Sequence, residues 1–209
     1  DTSKGPRGTY YAVQPYMKFD IGKPKSKKYY KQFLKIQGAY INELGGLYTN
    51  QTFGGFAEYE FALARRIQTF GSKVRLDYVN YDSRPGLSQI TGDLMNASVE
   101  LKYSIQYWPK KRKSIELRAF FGQNLFYNGD KDNRYAMSLT GQSGTQDVLY
   151  EHWMYGRNKT SGLWSNQRIE NQGGFKSTSD SLNSTSMIFG TNVIINLPYV
   201  PFALYGDFG

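Results

Sequence analysis

The chain has 209 residues, with 26 Lys+Arg against 17 Asp+Glu, a net charge of +9, no cysteine and one histidine. Absent cysteine excludes a disulfide framework and any thiolate ligand or nucleophile, and a lone imidazole excludes a multi-histidine zinc site, so neither metal nor cofactor is expected. Aromatic residues make up 16% and charged residues only 21%, which excludes wholesale disorder.

Residues 1–8 read as an N-terminal linker. Asp1-Thr2-Ser3-Lys4-Gly5 carries no apolar h-region, the pattern of a mature or trimmed chain. The whole of 1–209 reads as a single β domain or segment. Residues 9–22 form a Tyr-rich first strand, and in 32–42 Leu34, Ile36 and Tyr40 oppose Lys35, Gln37 and Ala39. Residues 56–67 admit a helical spacing, but period two fits better. Ala57, Tyr59, Phe61 and Leu63 share one face, with Glu58, Glu60 and Ala62 on the other. In 73–81, Val74, Leu76 and Tyr78 oppose Lys73, Arg75 and Asp77.

The longest alternation covers 95–107. Met95, Ala97, Val99, Leu101, Tyr103, Ile105 and Tyr107 take the odd positions; Asn96, Ser98, Glu100, Lys102, Ser104 and Gln106 take the even ones. Strands of soluble proteins usually run about 5–6 residues, whereas crossing a bilayer takes roughly 9–11. In 114–121, Ile115, Leu117, Ala119 and Phe121 oppose Glu116, Arg118 and Phe120. Residues 135–140, a stretch within 145–156, 186–196 and 201–208 bring the count to about ten strands. Residues 181–206 carry no charge, but Gly190, Asn192, Asn196, Pro198 and Pro201 argue for a hairpin there instead of a membrane helix.

This patterning has two readings. In a soluble sandwich the apolar face is the core and the charged face points at water. In an antiparallel transmembrane β-barrel the apolar, aromatic face meets lipid and the polar face lines the lumen. Long strands, an apolar face rich in Tyr and Phe, and both charge signs on the opposite face favour the barrel. Only every second residue then sees lipid, which accommodates a mean hydropathy of −0.59. The barrel reading assigns Tyr59, Phe61, Leu63, Val74, Leu76, Tyr78, Val99, Leu101, Tyr103, Ile105, Leu117 and Phe121 to lipid. It assigns Glu58, Glu60, Lys73, Arg75, Asp77, Glu100, Lys102, Glu116 and Arg118 to a luminal ionic network of wetted pairs, each worth about 0–1 kcal/mol.

The connections alternate in chemistry. Residues 23–31, 65–72 and 109–113 are basic, whereas 43–54, 82–92 and 124–133 are neutral and rich in Gly, Asn or Pro. Outer-membrane barrels have short periplasmic turns and longer external loops, which predicts that the basic side is periplasmic. The first strand then runs inward and the last outward. That parity predicts a segment of a larger barrel, with strands or a domain before Asp1 and at least one strand after Gly209.

Other candidates carry less. His152 stands near Asp147 and Ser143 and could serve a barrel-rim hydrolase as general base. Gly141-Gln142-Ser143-Gly144 lacks the second half of a nucleophile elbow, however, so no catalytic residue is assigned. Lys23, Lys25, Lys27, Lys28 and Lys31, and Lys110, Lys111, Arg112 and Lys113, could bind nucleic acid with Tyr29 and Tyr30. They fall in turns instead of on one strand face, which favours solvent or anionic headgroups, and no nucleic acid partner is expected. The rival to a membrane anchor, conduit or scaffold is a soluble all-β module presenting Tyr and Trp to a glycan or protein.

Finally, Arg134-Tyr135-Ala136-Met137-Ser138-Leu139-Thr140-Gly141-Gln142-Ser143-Gly144, Asp147-Val148-Leu149-Tyr150-Glu151, Gly156-Arg157 and Gln172-Gly173-Gly174-Phe175-Lys176 resemble a known family. They resemble the C-terminal β-barrel region of large Bacteroidetes outer-membrane proteins of the peptidase M1-like, gluzincin-type group, chiefly over 132–176. The resemblance implies a Gram-negative outer membrane, with the bilayer and lipopolysaccharide as partners. It also implies other envelope proteins, or further parts of a larger protein. That family's zinc-binding His-Glu-x-x-His helix is not in this chain, which has His152 alone, so nothing catalytic carries over.

Overall fold

The fold follows from the period-two pattern and the short turns that punctuate it. The computed structural model describes residues 9–22, 30–45, 48–85, 88–129, 136–139, 175 and 183–209. Its strands are β1 (Thr9–Val13), β2 (Tyr16–Asp20), β3 (Tyr30–Gly45), β4 (Tyr48–Ala64), β5 (Gln68–Pro85), β6 (Ile90–Trp108), β7 (Lys113–Gly129), β8 (Met137–Ser138), β9 (Asn183–Ser184), β10 (Met187–Asn196) and β11 (Ala203–Phe208). A 3-10 turn, Pro109–Lys111, is the one helical element among the described residues.

The main sheet is an antiparallel meander in the order β1-β3-β4-β5-β6-β7-β10-β11, with β2 also on β3. β1 and β2 share one unbroken register against β3, with Thr9 opposite Leu44 and Tyr16 opposite Gln37. Pro15 divides them because it has no N–H to give a ladder, although its carbonyl still accepts the Gly38 N–H at 3.0 Å. Proline is tolerated there because the strand is at an edge. β1 and β2 form one edge of the described sheet and β11 forms the other.

Several boundaries differ from the sequence expectation. Residues 43–45, 48–54, 68–72, 82–85, 90–92 and 124–129 were expected in connections but extend β3, β4, β5, β6 and β7. Gly, Asn, Ser and Thr mark loops only where the covered face is apolar; here Asn50, Thr52 and Ser83 are themselves buried in the ladder. Residues 135–140 were expected to supply a strand of the sheet, yet only Met137–Ser138 is extended, and it pairs with Asn183–Ser184 apart from the main sheet. β10 pairs directly with β7 in its place. The expected strand within 145–156 and the 1–8 linker lie outside the described residues. The length rule for connections holds only in part. The neutral connections 46–47 and 86–89 are as brief as the basic ones, 65–67 and 109–112. The connection between β7 and β10, also at the neutral end, is far longer than any of these, so charge and length both distinguish the two ends.

One face of the sheet is covered. Towards the neutral end it buries Ala39, Phe56, Val79, Tyr81 and Leu94, with Ile90 and Tyr127 packed against them. The Tyr81 side chain of β5 and the Tyr127 side chain of β7 reach across β6, and their hydroxyls lie 3.0 Å apart. Gly92 permits this, since a Cβ there would collide with the Tyr81 ring. A second cluster joins Phe120 and Ile188 to Met137 and Leu139, with Phe175 beside them. The Phe175 N–H donates to the Leu139 carbonyl at 2.8 Å, fixing this short segment.

Met137 rests on Gly122. A Cβ at Gly122 would stand 2.8 Å from the Met137 sulfur. Gly122→Val is therefore expected to displace Met137 and to cost about 1–3 kcal/mol by overpacking. Chemical denaturation checks this, with Gln123→Val, on the opposite and exposed face, as the control that changes little.

Candidate functional site: a buried ionic face and an exposed apolar face

Register places Glu58, Glu60, Lys73, Arg75, Asp77, Glu100, Lys102, Glu116 and Arg118 on the covered face of β4 to β7. Glu58 stands opposite Arg75, Glu60 opposite Lys73, and Lys73 opposite Glu100. Arg75 is the hub on β5. Its Nε donates to Asp77 Oδ1 at 2.7 Å, and its Nη1 lies 3.5 Å from Glu58 Oε2. Lys73 reaches the same Glu58 oxygen at 3.6 Å, and the Arg75 guanidinium lies 3.7 Å from the centre of the Phe56 ring.

Glu100 is the hub on β6. Lys102 and Arg118 each approach it at 2.8 Å. Arg118 Nη1 also donates to Asn192 Oδ1 at 2.9 Å, and Asn192 Nδ2 donates to Asp207 Oδ1 at 2.6 Å. A polar chain thus runs from β6 through β7 and β10 to the edge strand β11. Glu116 is exposed and accepts from Ser114 Oγ at 3.1 Å. A cleft of about 190 Å³ opens near the basic end, lined in part by Thr69, Lys102, Ser104, Glu116, Arg118 and Asn192.

These are not the wetted pairs expected from sequence. Glu58, Arg75, Asp77, Glu100 and Arg118 are each 7% exposed or less. The difference is physical: these side chains are out of water, so breaking a pair strands a charge instead of returning it to solvent. The carboxylates of Glu58, Asp77 and Glu100 are bound by cations, an arrangement suited to holding strands and not to moving protons.

The opposite face has the reverse chemistry. Tyr59, Phe61, Leu63, Val74, Leu76, Tyr78, Val99, Leu101, Tyr103, Ile105, Leu117 and Phe121 all lie on it. One row runs through seven strands: Phe19, Leu34, Tyr59, Val74, Val99, Phe121 and Phe189 stand in register from β2 to β10. Val74 is 46% exposed, Leu101 43%, Phe121 42% and Phe189 48%. The apolar band has limits along each strand. On β6 it covers 95–107, with Met95 opposite Tyr78 and Phe126; towards the neutral end this face turns polar at Asn80 and Asp93, which are hydrogen bonded to each other.

Sequence reasoning gave no role to Asn192, Asp207 or Phe56. Asn192 and Asn196 alternate with Thr191, Val193 and Ile195, a period-two signal hidden in a stretch without charge. His152, Asp147 and Ser143 lie outside the described residues, as do most of the residues carrying the family resemblance. Among the described residues, no cluster of His, Cys, Asp or Glu could hold a metal ion. No described helix is long and apolar enough to cross a membrane, which leaves crossing by strands open. Comparison with family models, curated proteins and solved structures finds no match to this chain.

Proposed function

We propose that this sheet is part of the wall of a transmembrane β-barrel in a Gram-negative outer membrane, where it serves as an anchor, conduit or scaffold within a larger envelope assembly. The observation that carries the reading is the inversion of the sheet: an ionic network is buried while a continuous apolar row is exposed. Soluble monomers rarely expose contiguous apolar patches beyond a few hundred Å², and a bilayer accepts such a face without cost. The band at 95–107 is also long enough for the roughly 9–11 residues that a tilted strand needs to cross. The polar continuation of β5 and β6 beyond it then stands clear of the hydrocarbon.

In that setting every backbone N–H and C=O within the bilayer is paired. The edges formed by β1, β2 and β11 therefore pair with further strands, of the same protein or of another envelope protein. The resemblance to the barrel region of peptidase M1-like proteins supports the same setting, with lipid and lipopolysaccharide around the wall. This sheet contributes no catalysis in the proposal.

Detergent dependence tests it. The chain is expected to stay monodisperse in detergent micelles, to aggregate when detergent is withdrawn, and to insert into vesicles. A monodisperse, folded protein in plain buffer contradicts the proposal.

A further inference from the structure

The two ends of the sheet differ in charge, and among the described turns the difference lies in two neighbouring ones. The β4–β5 turn carries Arg65 and Arg66; the β6–β7 turn carries Lys110, Lys111 and Arg112. All five side chains are exposed. No carboxylate occurs within 65–67, 109–112 or the β10–β11 turn, 197–202. At the opposite end, 46–47 and 86–89 contain no charge at all.

The turns are fixed in place. The Gln106 N–H donates to the Ile67 carbonyl at 2.8 Å, tying the first turn to β6. Arg112 adopts a left-handed conformation, φ 53°, and donates its N–H to the Pro109 carbonyl at 3.1 Å. Lys113 Nζ donates to the Val200 carbonyl at 2.6 Å. Beside these cations, the Trp108 and Tyr199 rings meet edge to face at 5.2 Å, and Tyr199 is 89% exposed. An aromatic pair with Tyr199 exposed, at the margin of an apolar band, suits the headgroup level of a bilayer. Exposed cations beyond it, in turns without a carboxylate, suit lipid phosphates.

We propose that Arg65, Arg66, Lys110, Lys111 and Arg112 form a binding rim for the phosphate groups of anionic phospholipids, with Trp108 and Tyr199 seated at headgroup depth. This inference rests on the membrane reading above and names the leaflet chemistry that the basic end meets. The rim orients the sheet by drawing this end towards an anionic surface.

Lipid retention measured by native mass spectrometry tests it. The full chain is inserted into phosphatidylcholine vesicles containing a minor fraction of phosphatidylglycerol, then extracted in mild detergent. The wild type should retain phosphatidylglycerol well above its bulk fraction and lose it as salt is raised. Each neutralised cation should lower that enrichment by up to about fivefold. The R65Q/R66Q/K110Q/K111Q/R112Q variant should therefore retain the two lipids at their bulk ratio, while Arg84→Gln, at the neutral end, changes nothing. Salt-insensitive retention by the wild type, or unchanged enrichment in the inserted five-site variant, would overturn the rim. Preferential retention of a bisphosphorylated glycolipid added in competition would overturn the phospholipid assignment. Failure of the wild type to insert into any vesicle would overturn the membrane reading, and the rim with it.

Discussion

Leu101→Arg is expected to cost about 2–4 kcal/mol of insertion free energy, while its neighbour Lys102→Leu leaves assembly nearly unchanged. The two residues are adjacent on β6 and point to opposite faces. Leu101 belongs to the exposed apolar face, 43% accessible, so in the proposed setting a guanidinium there must be dehydrated or must drag water into the bilayer. Lys102 belongs to the ionic face, 2.8 Å from Glu100, with its side chain 50% exposed. Removing a half-exposed partner costs only about 0–1 kcal/mol, and Arg118 still holds Glu100. The yield of protein inserted into vesicles, measured for both variants in parallel, checks the contrast. Equal tolerance of the two changes would count against the assignment of faces.

Arg75→Met is expected to destabilise the folded chain by about 3–5 kcal/mol, the range for breaking a buried pair from one side. Arg75 is 3% exposed. It satisfies Asp77 and Glu58 together and covers Phe56. Methionine keeps much of the apolar stem but leaves two buried carboxylates with less compensation. Adding Glu58→Gln and Asp77→Asn to Arg75→Met should recover most of the loss, because the stranded charges are then gone. Denaturant titration in detergent reads both steps. A single variant as stable as the wild type would mean that this face is solvated and the pairs are incidental.

Strand identity was legible wherever one face was apolar and the other charged, as in 73–81 and 95–107. Apolar spacing distinguishes period two from period 3.6 without any tertiary information. What could not be read was the ends of strands. Asn50, Thr52 and Ser83 carry the composition of a loop, and only the polar character of the covered face makes them suitable for a ladder. The short extension at Met137–Ser138 was misjudged for a related reason. Alternation of Met137 and Leu139 with Ser138 is compatible with a strand, but those apolar side chains pack on Phe120 and Ile188 in place of a place in the sheet.

The ionic face was legible in membership but not in energy. Alternating signs at Glu58, Lys73, Arg75, Glu100, Lys102 and Arg118 announce cross-strand pairing. Burial depends on groups distant in sequence, so the shift from wetted to buried pairs appears only in three dimensions. Asn192 and Asp207 illustrate the same limit. Their connection to Arg118 spans the long segment between β7 and β10, and sequence spacing gives no access to such a register.

Accessibility to lipid, residue by residue along β6, tests the central claim most directly. The chain contains no cysteine, so single cysteines can be placed at each position from 97 to 105 and labelled with a nitroxide after insertion into vesicles. Collision with oxygen, which partitions into the bilayer, should rise at Ala97, Val99, Leu101, Tyr103 and Ile105 and fall at Ser98, Glu100, Lys102 and Ser104. A period-two alternation with that phase is the predicted result. Alternation of the opposite phase, or uniform accessibility to a water-soluble quencher across all positions, would contradict it.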